Sequence, residues 1–127
     1  MRKKEYLRNP KGFTLIELLS VMVIMGVMSS VAVKKFDLIS DTASVRALDA
    51  AVKELNVRES LVWSNMKIST DGYTGDADLF ASLDKELGSK FKWHPGPKID
   101  GGTLHFESHA IALNRSPSTF SAAGKWQ

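Results

Sequence analysis

Apolar and polar residues divide this chain into three regimes. A short polar leader comes first. From Phe13 to Val33, 21 residues then carry a single charged side chain, Glu17. At about 1.5 Å per helical residue that run spans roughly 31 Å, the thickness of a bilayer core. After Lys34 the pattern becomes amphipathic. Val45, Leu48, Val52, Leu55, Val62 and Met66 recur at steps of 3, 4 and 7 and gather on one helical face. Asp49, Lys53, Glu54, Arg58 and Glu59 fall mostly elsewhere. No Pro or Gly interrupts Val27 to Thr70, so the simplest reading is one continuous helix of about 53 residues, far above the usual length.

From about Lys67 the chain is rich in turns. Asp71-Gly72-Tyr73-Thr74-Gly75-Asp76 reads as a loop. Asp76 is placed to N-cap a short helix whose Leu79, Phe80, Leu83 and Leu87 form an apolar face, with Gly88 as its stop. Phe91 to His94 reads as a strand ended by Pro95-Gly96-Pro97. Thr103 to Glu107 alternates, with Leu104 and Phe106 on one side, and His109 to Leu113 alternates again. These two segments predict a hairpin turning near Ser108. Ser116 to Gln127 is a late strand or an extended tail, with Phe120 and Trp126 as its anchors. The expected fold class is α+β: a long N-terminal helix, its first half transmembrane, packed on a small antiparallel sheet. The boundaries are 1–12 for the leader, 13–33 for the apolar helix and 34–127 for the head. Within the head, the amphipathic helix covers about 34–66, a loop and short helix about 67–90, and the sheet about 91–127. Trp63, Phe80, Phe91, Trp93, Phe106 and Trp126 are read as the core between helix and sheet.

Charge changes the picture less than the sequence pI of about 9.2 suggests. The leader holds Arg2, Lys3, Lys4, Arg8 and Lys11 against Glu5. The remainder has 12 basic and 13 acidic side chains, which offers no broad positive face for nucleic acid. A basic segment before an apolar one retains its own end in the cytoplasm, so the head is expected on the outer side of the membrane. There is no cysteine, which excludes disulfides and thiolate metal sites. The apolar run is too long for an ordinary secretory signal, and Lys34, Lys35 and Phe36 follow it where a small-residue cleavage site would be needed. An uncleaved signal anchor would give the same topology, with a periplasmic binding module as the head.

The junction between leader and apolar run reads Lys11-Gly12-Phe13-Thr14-Leu15-Ile16-Glu17. This segment, about residues 8 to 36, resembles the start of type IV pilins and type II secretion pseudopilins. The resemblance implies a structural subunit, a minor pilin or pseudopilin, of a type IV pilus or type II secretion pseudopilus. It implies cleavage between Gly12 and Phe13 and N-methylation of Phe13 by a prepilin peptidase/methyltransferase. It also implies insertion in the inner membrane and assembly with other pilin or pseudopilin subunits through an inner-membrane assembly platform. The lipid bilayer is a partner before assembly. In the family the equivalent of Glu17 pairs with the new N-terminus of a neighbouring subunit; the alternative role is a carboxylate snorkelling to the headgroups. Gly26 and Ser30, with Ser29 and Ala32 nearby, form a small-residue patch suited to helix packing. Many relatives carry a Pro eight residues after the equivalent of Gly26, where this chain has Lys34.

Other chemistry is weakly supported. Asp71, Asp76 and Asp78 do not have the spacing of a calcium loop, and capping and solvation account for them. His94, His105 and His109 are too few and too poorly phased for a metal site, so no metal or cofactor is expected. No nucleophile elbow or other catalytic spacing occurs, and an enzyme is not expected.

Overall fold

The computed structural model of the protein describes residues 12–127. The leader cations Arg2, Lys3, Lys4, Arg8 and Lys11 lie outside the described residues. One helix, α1, runs from Leu15 to Ile68, 54 residues without a break, and passes through Lys34 where a Pro would have removed a backbone bond. Contacts divide the chain between Ile39 and Ser40 into two compact units.

In the first unit the helical residues are exposed throughout. Their best 18-residue window has a mean hydropathy of 2.2 and no buried residue, which makes this one helix long and apolar enough to cross a membrane. The Ser20, Ser29 and Ser30 hydroxyls donate to Ile16, Met25 and Val27 carbonyls at 2.8, 2.7 and 2.8 Å. An apolar surrounding therefore leaves none of these hydroxyls without an acceptor.

In the second unit, Ser40–Gln127, the remainder of α1 buries Ser44, Leu48, Ala51, Leu55 and Glu59, a stripe at steps of 4, 3, 4 and 4. The expected stripe is therefore only partly right. Leu48 and Leu55 lie at its centre and Val52 and Val62 pack on its flank, but Val45 is 54% exposed. Ser44, Ala51 and Glu59 occupy buried positions that apolar periodicity passed over. The sheet is an antiparallel meander: β1 (Phe91–Trp93), β2 (Gly101–Phe106), β3 (His109–Ser116) and β4 (Lys125–Trp126), in that spatial order. β2 and β3 form the expected hairpin, with Phe106 opposite His109 and the two-residue turn at Glu107 and Ser108, Glu107 at φ 53°. Leu48, Ala51 and Leu55 of α1 meet Leu83, Leu104, Leu113 and Trp126 in one core. Phe80, Phe91, Trp93 and Phe106 pack around it.

The helix after the turn, α2, covers Asp76–Ser82 and departs from expectation at both ends. Gly75 occupies the cap position and no side chain caps it; the Asp76 carboxylate is committed elsewhere. The helix stops before Leu87 and Gly88, because Leu83 is extended. There Lys85 Nζ donates to the Phe80 and Leu83 carbonyls at 2.8 and 2.7 Å, satisfying the end of the helix. The C-terminal stretch is a loop closed by β4. Trp126 is its buried anchor, whereas Phe120 is 69% exposed and lies under Lys67 Nζ, 3.3 Å from the ring centroid. Trp63 also stays out of the core and donates from Nε1 to the Thr119 carbonyl at 2.9 Å. β4 is pinned to α1 by Asn56, whose amide exchanges hydrogen bonds with the Trp126 backbone at 3.0 and 2.7 Å.

Candidate functional site

Two groupings of polar residues stand out, one at the start of α1 and one inside the head. At the helix start, Thr14 is the N-cap: its carbonyl accepts from Leu18 N–H at 3.1 Å. The Thr14 N–H donates to Glu17 Oε2 at 2.8 Å, and Glu17 N–H donates to Thr14 Oγ1 at 3.2 Å. This is a reciprocal capping box, with Thr and Glu three residues apart, and it satisfies two amides that helix geometry leaves without partners. Glu17 is therefore held at the N-terminal end of the apolar helix, one turn from Phe13, where the positive end of the helix dipole favours a carboxylate. Gly12 precedes the helix, and both it and Phe13 are exposed. Thr14 was missed by the reading of the sequence, although Thr-x-x-Glu ahead of an apolar run is itself a recognisable signal.

Farther along, a Cβ built on Gly26 would meet nothing within 4 Å, and Ser30 is exposed with its hydroxyl turned back onto the helix. Gly26 and Ser30 thus present a low, uncovered patch of helix surface.

Inside the head, Arg115 of β3 joins Glu59 of α1 and Asp76 of α2. The Arg115 and Glu59 side chains are fully buried. Arg115 Nε donates to both Glu59 oxygens at 3.1 Å. Nη2 reaches Glu59 Oε1 and Asp76 Oδ1, the latter at 2.6 Å. Nη1 donates to Asp76 Oδ2 at 2.9 Å and to the Ile99 carbonyl at 3.0 Å. All the guanidinium donors are in use. Trp126 Nε1 donates to Glu59 Oε2 at 2.9 Å, and Ser118 N and Oγ donate to Asp76 Oδ1 at 2.7 and 2.6 Å. Burial pushes the Asp76 carboxyl up, but the hydrogen bonds from Arg115 and Ser118 outweigh it and bring it down to about 2. Burial likewise pushes Arg115 down, and its two carboxylate partners reverse the sign and raise it. Gly124 lets β4 close over this cluster, since a Cβ there would overlap Glu59 Oε1 and come 2.8 Å from the Ser116 carbonyl. No buried side-chain polar atom among the described residues lacks a partner. The cluster's charges compensate one another within the fold, so it is a structural clamp tying α1, α2 and β3 together.

The remaining candidates do not converge. Of the three loop aspartates, Asp76 joins the clamp while Asp71 and Asp78 stay exposed. His105 Nε2 lies 3.1 Å from the His94 carbonyl and His109 Nε2 lies 4.0 Å from Asp41 Oδ1. Among the described residues no group of three or more His, Asp or Glu is placed to hold a metal ion.

Comparison with known proteins bears on the first grouping. The prokaryotic N-terminal methylation motif matches residues 7–33, which include the Gly12-Phe13 junction, the capping box and the whole apolar run. No curated protein and no solved structure matches the chain. A basic leader, the methylation motif and a membrane-length helix leading into an α+β head are the N-terminal signature of the type IV pilins and pseudopilins, and this chain carries that signature.

Proposed function

We propose that the protein is a structural subunit, a minor pilin or a pseudopilin, of a type IV pilus or a type II secretion pseudopilus. It is made as a precursor in the inner membrane with its head periplasmic. A prepilin peptidase/methyltransferase cleaves between Gly12 and Phe13 and methylates the Phe13 amine, and the assembly platform then adds the subunit to a filament. The observation that carries this reading is the single carboxylate, Glu17, fixed one turn from Phe13 on an otherwise apolar and uncovered helix. Within a filament core that carboxylate faces the cationic amine of Phe13 on a neighbouring subunit, and each ion there needs the other to offset its desolvation. The Gly26–Ser30 patch supplies close helix approach between subunits.

The test is Glu17→Val in a strain with active peptidase. Cleavage depends on the Gly12-Phe13 junction, and loss of a charge eases insertion. Intact mass should therefore show loss of residues 1–12 and gain of one methyl, as in the wild type. The processed variant should accumulate in the inner membrane and be scarce in sheared filaments. Wild-type incorporation of the processed variant would refute the pairing, and an uncleaved 127-residue wild-type chain would refute the whole reading.

A further inference from the structure

The two faces of β1 differ in character. Phe91 and Trp93 pack against the core, and strand alternation sends Lys92 to the outer face, where it is exposed. The register sets Lys92 opposite the half-buried His105 of β2, and opposite residues on one face of an antiparallel pair lie about 5 Å apart at Cβ. Together with Ser89, Lys90 and Glu107 these two side chains line a surface groove of ≈ 280 Å³. Charge in the groove is unevenly matched. Glu107, its one carboxylate, is engaged by Lys90 at 3.3 Å and by the Ser44 hydroxyl at 3.4 Å. Among the described residues Lys92 forms no ion pair and the Ser89 hydroxyl no hydrogen bond. The charged and titratable groups around the His105 ring are therefore Lys90, Lys92 and His94 on the β1 side and Glu107 two residues along. β3 places only Ala110 opposite it.

His105 supplies a donor that can be switched. Its Nε2 lies 3.1 Å from the His94 carbonyl, which can only accept, so Nε2 carries the hydrogen. The neutral ring then holds a lone pair at Nδ1, and protonation turns that atom into a second donor. In the protonated state the groove offers the Lys92 ammonium, an imidazolium N–H and the Ser89 hydroxyl, with its one carboxylate already paired to Lys90. Three donors, two of them cationic, match the several oxygens of a tetrahedral oxyanion better than the two of a carboxylate. The groove also has more room than a bare sulfate or phosphate ion fills. We propose that the Ser89–Lys92–His105 groove binds a phosphate monoester by its phosphate group, more tightly when His105 is protonated. This site goes beyond the filament reading, which rests on α1.

The test uses the full chain in detergent micelles at constant ionic strength, with backbone amide shifts followed by NMR. The probes are glycerol 3-phosphate and sulfate, whose charge does not change over the pH range used. At about pH 5.5, below the ordinary histidine range, both should give saturable shifts at Ser89, Lys92 and His105 with millimolar dissociation constants. Sulfate should bind roughly fivefold or more weakly at about pH 7.5. Lys92→Gln should weaken both probes roughly fivefold or more. His105→Gln keeps a donor for the His94 carbonyl and should abolish the pH dependence. Glu107→Gln frees Lys90 and should tighten binding. Unshifted amides of Leu55 and Leu79 in each variant show that the core is intact. No saturable shift up to about 50 mM probe, acetate binding as tightly as sulfate, or a pH dependence that survives in His105→Gln would overturn the proposal. Sulfate bound with glycerol 3-phosphate excluded would also overturn it, leaving an adventitious ion only.

Discussion

Arg115→Met should be among the most damaging substitutions in the head, and the reason is what it leaves behind. The methionine fills part of the guanidinium space, but Glu59, fully buried, keeps only Trp126 Nε1 as a donor. Asp76 retains only Ser118. Removing one partner of a buried ion pair costs about 3–5 kcal/mol, because the remaining charge is buried without compensation. A domain of this size is stable by roughly 5–13 kcal/mol, so the variant should lose about a quarter or more of its stability. The assay is urea unfolding of a fragment comprising residues 37–127, followed by far-UV circular dichroism. With a slope of about 1–3 kcal/mol per molar urea, the midpoint should fall by roughly 1–5 M. A second arm isolates the pair. Glu59→Leu with Arg115→Met removes both charges, and the double variant should be more stable than the sum of the two single losses predicts, by about 2 kcal/mol or more. A single loss below about 1 kcal/mol, or strict additivity, would refute the argument that the clamp is held by charge compensation.

The same fragment should be soluble and folded by itself, because the core of Leu48, Leu55, Leu104, Leu113 and Trp126 lies within it; a fragment without a cooperative transition would contradict this. Leu55→Asp puts an unpaired carboxylate at a site with no exposure and should cost several kcal/mol; wild-type melting would mean the buried face of α1 is misassigned. Asp76 is held at about 2, below its ordinary 3.8, so its charged form favours the fold. That contribution is complete above about pH 4 and fades as the pH falls toward 2. It amounts to about 2 kcal/mol at most, less after solvent screening. Urea midpoints at pH 6, 4 and 2.5 should show a steeper acid loss in the wild type than in Asp76→Asn, and equal slopes would remove Asp76 as the titrating group.

The parts of this protein legible in its sequence are those that repeat one period over many residues. The apolar run, the continuous helix and the β2–β3 hairpin follow from spacing alone, and the Gly12-Phe13 junction is local. What escaped was the chemistry written against the period. Glu59 lies four residues after Leu55, in phase with the buried stripe, and Arg115 lies two after Leu113, in phase with the inward face of β3. Each looks like a charge to be solvated when taken alone. Together, with Asp76 drawn off the cap position it was expected to hold, they compensate one another in the core. Glu17 makes the contrast that matters for function. Among the described residues it is hydrogen-bonded only to Thr14, at the margin of an apolar helical segment that no other described residue covers. A charge that the fold completes, such as Glu59, needs no second molecule. A charge carried on an apolar surface and completed by a single neighbouring amide still needs a counter-ion once water is excluded, and in the proposed filament the Phe13 amine of a neighbouring subunit brings it.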